Sequence, residues 1–240
     1  MYHRRGAAVV VPEALVGRAA RLQLDDDQRA DVEQATERLR RGIIDGSFAP
    51  GEPLVLGSLR EELRLPPDVL DQSFDQLRDE GFVEKVGAGN ILVTPLEVGE
   101  VRSIRALRER LEVQIAERAA PFYTDGDILW MRSRLERWHG SRSPELVVSI
   151  HNELHQAVVG PAASALELQV VELLWRATER YIRATLPTVP MVSLTPLAAA
   201  YERLVNAAQS RSGRRVARDL TRLLKVLEHV IGSALPRPEM

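Results

Sequence analysis

The sequence predicts a mostly α-helical protein of two parts, an N-terminal winged helix-turn-helix and a C-terminal all-α antiparallel helical bundle. Three observations carry this prediction. Residues 28–95 order three helical runs ahead of two short alternating runs that flank a glycine turn. After Pro95 the chain reads as long amphipathic helices with almost no strand signal. The 240 residues, 45% hydrophobic and 28% charged, have the balance of a soluble globular protein with length for two ordinary domains.

Residues 1–27 form a basic arm carrying Arg4, Arg5, Arg18 and Arg21, which breaks at Asp25-Asp26-Asp27, where carboxylates favour a helix N-terminus. In the following helix, Val32, Ala35, Leu39 and Ile43 recur at helical spacing, and Gly46 with Pro50-Gly51 stops it. Two further helices are expected over Leu56–Leu63 and Pro67–Asp79, the latter ended by Gly81. Phe82–Val86 and Ile91–Thr94, joined by the turn Gly87-Ala88-Gly89-Asn90, give the hairpin signal. Helix, helix, helix, hairpin is the winged-helix order, so the first domain is placed at 28–95. Domain 96–240 should hold helices near 97–120, 125–138, 144–159, 162–186, 194–209 and 213–233, broken at Pro121, Gly140, Pro161, Pro187–Pro190 and Gly213. The interior of such a bundle is a usual place for a ligand or metal.

Composition excludes several classes. Without cysteine there is no disulfide, Cys-ligated zinc, iron–sulfur cluster or thiol catalysis, so a metal would have to use His, carboxylate or water. No apolar run reaches membrane-spanning length and no signal-peptide pattern opens the chain, so a cytoplasmic protein is expected. A net charge of −2 gives no global nucleic-acid signal. The bases are almost all Arg, with Lys85 and Lys225 the exceptions, which fits genomic GC bias.

Four segments together resemble the GntR regulator family, in the branch with an FCD (FadR-like) effector domain, over roughly residues 30–233. "LRRGIIDGSFAPGEPL" at 39–54 is similar to the motif that links the first two helices, and "LRDEGFVEKVGAGNILV" at 77–93 to the end of the recognition helix and the wing. "RERLE" at 108–112 matches the Arg-x-x-Leu-Glu pattern that opens the effector domain, and "HNELHQAVVG" at 151–160 resembles the segment holding a ligand histidine. The resemblance implies a homodimeric, ligand-responsive regulator of double-stranded DNA.

The chain departs from the family at both signature sites. Where the family's recognition helix carries two arginines, this chain reads Pro66-Pro67-Asp68-Val69-Leu70-Asp71-Gln72-Ser73-Phe74, and a basic contact expected on the preceding helix falls on Gly57. Asp68, Asp71 and Asp75 share one helix face instead. Residues 28–95 hold 8 Lys and Arg against 13 Asp and Glu, opposite to the footprint of a duplex-binding face. Two readings stay open. In one, DNA is still bound through Arg60, Arg64, Gln72, Ser73, Lys85, the wing and the arm; Gln pairs well with adenine. In the other, the winged helix no longer reads DNA and the aspartates form a solvated face.

In the effector domain the family's metal pair Asp-x-x-x-His reads His151-x-x-x-His155, the third ligand position falls on Tyr201 and the fourth near Leu224, which cannot ligate. No tightly held metal or other cofactor is expected; weak Zn or Ni binding by His151 and His155 stays open beside their use as neutral hydrogen-bonding imidazoles. His151, His155 and Tyr201 should converge, with Leu224 making one wall apolar. Arg108 either grips an effector carboxylate through its planar fork or pairs with Glu112 at i, i+4. Trp130, Trp138 and Trp175 read as core or interface packing, and Arg176, Arg180 and Arg183 as a basic stripe.

The reading that follows is a DNA-binding transcriptional regulator with a small organic acid or similar effector in the helical domain. The alternative is a regulator fold that has lost DNA binding and works as a small-molecule-binding or catalytic protein through the same pocket, or that caps a DNA-competent relative as a heterodimer. No Ser-His-Asp context, phosphate loop or dinucleotide motif is present, so no enzyme class is named.

Overall fold

The computed structural model describes residues 26–86, 90–139, 143–186, 189 and 191–235, with side chains from Gln28 onward except at 139, 144 and 191–193. The expected basic arm and the hairpin turn at 87–89 lie outside the described residues. The chain divides into two compact units, one of residues up to Ile43 with Ser47–Pro95, the other of Ile44–Gly46 with Leu96 onward.

The first unit runs α1 (Asp26–Ile44), β1 (Pro53–Leu54), α2 (Leu56–Leu63), α3 (Pro67–Asp79), β2 (Val83–Val86) and β3 (Asn90–Val93). Val32, Ala35, Leu39 and Ile43 turn the same face of α1 inward and are buried. Val69, Leu70, Ser73, Phe74 and Leu77 form the buried face of α3. Arg40 of α1 donates two hydrogen bonds of 2.8 Å to the Glu80 carboxylate, which ties α1 to the end of α3. Pro67 starts α3 where its missing N–H is no loss, and Gly81, at φ +78°, turns the chain out of the helix so that the Phe82 N–H reaches the Leu77 carbonyl at 2.9 Å.

The sheet has the order β1-β3-β2 and is antiparallel throughout. Its hairpin was expected; β1 was not. Two residues are too few to show alternation, and Pro53 suits only an edge strand because it has no N–H to donate. The Gly51 N–H donates to the Val93 carbonyl and the Val93 N–H to the Glu52 carbonyl, both at 2.9 Å, so backbone geometry after the Pro50-Gly51 turn sets this pairing.

The second unit is an all-α bundle of α4 (Val98–Ala119), α5 (Asp125–His139), α6 (Pro144–Val159), α7 (Ala165–Thr185), α8 (Met191–Gln209) and α9 (Gly213–Ala234), with 3₁₀ turns at Ala120–Phe122 and Gly160–Ala162. α9 presents Val216, Leu220, Leu223, Leu224, Leu227, Val230 and Ile231 to the core. α4 packs along it, with Val101, Ile104, Ile115, Ala116 and Ala119 buried on a stripe that also contains Arg108 and Glu112. α7 opens on a capping box, Ser164 accepting from the Glu167 N–H and Glu167 from the Ser164 N–H. α8 starts three residues ahead of its expected position and carries Pro196 inside the helix, past the first turn, where the ring removes one i→i−4 hydrogen bond. Among the described residues no helix is long and apolar enough to cross a membrane.

Candidate functional site

The face of the first unit on which the DNA contacts are expected is built by α2, α3 and the hairpin. Because Val69, Leu70, Phe74 and Leu77 must point into the core, the 3.6-residue period turns Asp68 and Asp71 outward and leaves Asp75 partly exposed. Two of the three carboxylates are paired. Asp71 accepts from Arg60 at 3.1 Å and Asp75 meets Arg78 at 2.8 Å. These four side chains, with Lys85, Glu84 and apolar flanks from Phe74 and Ile91, line an open groove of about 340 Å³. The sequence showed a row of aspartates; the fold supplies partners from α2 and from the next turn of α3.

The expected DNA contacts fare unequally. Arg64 and Lys85 are exposed, and Arg60 is half-buried against Asp71. Arg64 ends α2 in the left-handed region at φ 53°, within the turn between α2 and α3. Gln72 is half-buried, its Oε1 shielded and without a hydrogen-bond partner. Ser73 is a correction: it lies on the buried face of α3 and donates to the Val69 carbonyl at 2.8 Å, so it reaches no duplex.

In the second unit Arg108, Glu112, His151, His155 and Tyr201 are all buried and come together from α4, α6 and α8. The His151 and His155 ring centres lie 4.4 Å apart, as a four-residue spacing on one helix face requires, and each is 6.0 Å from the Tyr201 ring. Arg108 forks onto Glu112 through Nε and Nη2, and its Nη1 donates to Thr178 Oγ1 at 3.1 Å. His155 Nδ1 lies 2.9 Å from the second Glu112 oxygen, so the carboxylate fixes Nδ1–H as the donor. The Tyr201 hydroxyl and His151 Nδ1 share a hydrogen bond, and His151 Nε2 is buried without a partner. Trp138 packs on Tyr201 at 5.0 Å and Trp175 lies 6.3 Å from His155.

Electrostatically the cluster closes on itself. Burial pushes the Glu112 carboxyl up, but Arg108 and then His155 outweigh it and hold the group at about 2, so it is ionised. Burial drives the His151 pKa well below the ordinary imidazole value, helped by His155 and Arg108, and burial with Arg108 also lowers that of His155. Both imidazoles are therefore neutral at neutral pH. One guanidinium against one carboxylate leaves no net charge to attract an ion.

Of the two roles open for Arg108, the structure realises the pairing with Glu112. Thr178 is a member that the sequence did not point to, whereas Glu112 was expected only as the i, i+4 partner of Arg108 and also binds His155. The donor set does not fit a divalent metal: Tyr201 and Glu112 occupy the two Nδ1 atoms, Leu224 stands at the fourth position, and His229 is exposed. Among the described residues no group of three or more His, Asp or Glu is arranged to hold one. Of the arginine stripe of α7, Arg180 is buried against Glu100 and Arg183 pairs with Glu179, whereas Arg176 is half-buried with its Nε shielded and without a hydrogen-bond partner. Trp138 and Trp175 are core residues, whereas Trp130 is partly exposed under the Arg134 guanidinium at 4.7 Å.

Residues 103–226, more than half of the chain, match the FCD domain. The chain belongs to the FCD domain family. Among its relatives, the HTH-type transcriptional regulator BphR of Paraburkholderia xenovorans (strain LB400) is 22% identical over 65% of this chain and 68% of that protein. Of solved structures, a putative transcriptional regulator GntR from Rhodococcus sp. RHA1 superposes with a TM-score of 0.72 at 15% identity, covering 86% of this chain and 100% of that one. The E. coli protein McbR/YncC gives 0.68 at 16%, covering 81% and 93%. These likenesses establish the GntR-type fold. The family's Arg-x-x-Leu-Glu stretch at Arg108–Glu112 and the His151–His155 pair both lie within the matched FCD segment.

Proposed function

We propose that this FCD protein is a ligand-responsive transcription regulator, active as a homodimer, in which the helical domain senses a small molecule and the winged helix engages double-stranded DNA. The observation that carries this is the presence on one chain of a winged-helix unit with an outward-facing α3 and an FCD bundle with a buried polar cluster at its heart. Recognition of paired half-sites calls for a two-fold dimer, and the BphR and Rhodococcus relatives are themselves named as transcriptional regulators. Arg64, Lys85 and, once freed from Asp71, Arg60 are the backbone-contacting groups of this reading, and Gln72 reads a base only once its shielded Oε1 turns outward.

A second reading is favoured by one observation. Two cations of the recognition face, Arg60 and Arg78, are matched by Asp71 and Asp75, which removes part of the counterion-release term that supplies duplex affinity. A regulator fold that binds its ligand without DNA would look the same. The test is binding of the purified protein to the DNA upstream of its own coding sequence: the regulator reading expects saturable binding that weakens steeply between about 50 and 200 mM salt. Absence of binding at the lower salt concentration would favour the second reading.

The organic acid expected from the sequence loses its counterion, because Arg108 is already forked onto Glu112. Weak Zn or Ni binding would require the Nδ1 bonds of both histidines to be given up or the metal to use Nε2 alone.

A further inference from the structure

The buried cluster borders a hollow that none of the roles above uses. Between α4, α7 and α9 a cleft is lined by Val101, Ile104, Thr178, Tyr181, Leu224 and Leu227. Its polar corner is the Arg108–Thr178 hydrogen bond of 3.1 Å. At its rim, Arg105 of α4 pairs with Glu228 of α9, so an ion pair spans the two helices beside the opening. The cleft holds about 20 Å³, room for roughly one water, so a larger guest must displace a wall.

One wall has a second job. Tyr181 is buried, and its hydroxyl takes the Glu97 N–H at 3.2 Å and bonds the Glu100 carboxylate, which Arg180 of the same helix also meets at 3.2 Å. Glu97 is the N-cap of α4, two residues after Pro95, where the winged-helix unit ends. The same ring therefore closes the cleft and anchors the first residues of the helical unit.

We propose that this cleft binds a small uncharged apolar molecule of about one aromatic ring, and that its entry displaces Tyr181 and loosens the Glu97–Glu100 anchor at the domain junction. The inference rests on the reading of the helical domain as a sensor and assigns it a site, a ligand class and an output. Six of the walls and flanks, Val101, Ile104, Leu224, Leu227, Ile231 and the Tyr181 ring, are apolar, the usual make-up of a small-molecule site. A carboxylate would lose its water and find both neighbouring guanidiniums taken, Arg108 by Glu112 and Arg105 by Glu109 and Glu228. A hydroxyl or carbonyl needs only the Arg108–Thr178 corner.

Benzyl alcohol and benzoate share a ring and differ in charge, so calorimetric titration of the DNA-free protein with each separates the ligand classes. Benzyl alcohol should bind at least about ten-fold more tightly than benzoate, and Leu227→Trp, which fills the cleft, should weaken it by about ten-fold or more. If Leu227→Trp fails to fold, Leu224→Phe serves the same comparison. Amide hydrogen exchange gives the output: benzyl alcohol should speed exchange at residues 97–101 in the wild type. In Tyr181→Phe that exchange should already be fast and unchanged by ligand. Benzoate binding as well as the alcohol, no binding of the alcohol, full binding by the filled variants, or a wild-type-like exchange response in Tyr181→Phe would each overturn the proposal. None of these readouts involves DNA, so the cleft can fail while the regulator reading stands, and the reverse.

Discussion

Glu112 is the residue on which the buried cluster depends, because it answers both Arg108 and His155 with no solvent to share the load. Glu112→Gln keeps the shape and leaves a buried guanidinium uncompensated, which should cost about 3–5 kcal/mol in urea unfolding; Arg108→Met with Glu112→Leu should restore most of it. A loss below about 1 kcal/mol would show that the pair is solvated or rearranges. The histidines give the pH signature. A base whose folded pKa is depressed refuses a proton that the unfolded chain accepts, so stability falls as pH drops below the ordinary imidazole value of about 6.5, by up to about 1.4 kcal/mol per unit for each group. Glu112 contributes in a lower window: its stabilisation is full above the ordinary carboxylate range and is lost as pH falls toward about 2. Unfolding midpoints between pH 7 and 5 should decline in the wild type and flatten when His151 and His155 are both replaced by Asn; an equal decline would place the titration elsewhere. At this scale the sequence was partly legible. The spacing of His151 and His155 put them on one face and the motif register brought Tyr201 to them. Whether a buried charge is met from its own helix or from a ligand depends on rotamer and depth, which spacing does not report.

At the scale of elements, helix periodicity and turn residues located the helices because each amphipathic stripe has one core to face. β1 and the early start of α8 were missed, since backbone pairing decides the one and local tolerance of Pro196 the other. The same limit hid the pairing of Asp71 with Arg60, which needs α2 and α3 side by side. Helix contacts make a sharp prediction at two glycines of α9. A Cβ on Gly213 would stand 2.6 Å from the Glu117 carbonyl oxygen, whereas one on Gly232 meets nothing within 4 Å. Gly213→Ala should destabilise by about 1–3 kcal/mol through the forced shift of α9 against α4. Gly232→Ala should stabilise by about 0.5–1 kcal/mol through the unfolded state. Thermal melts of the two variants that moved in the same direction would contradict the packing of α9 on α4.

For the whole molecule, the two-part order, winged helix and then FCD bundle, was legible because hydrophobic period and turn chemistry change character at Pro95. What remained hidden was which charges of the first unit pair with one another, a tertiary property. The homodimer of the proposed regulator should appear in sedimentation at micromolar concentration, and a monomer there would remove the geometry needed for paired half-sites. On α7, exposed Leu166, Val170 and Leu173 are apolar surface at helical spacing available to such an interface. Whether the winged helix of the proposed regulator reaches DNA despite its aspartates is decided by the salt dependence of binding to the upstream duplex for wild type and Asp71→Arg. The substitution removes a repulsive carboxylate, frees Arg60 and adds a guanidinium, so affinity should rise and the slope of log K against log salt should steepen by about one to two per protomer. An unchanged slope, or no salt-sensitive binding by either protein, would mean that α3 does not approach DNA.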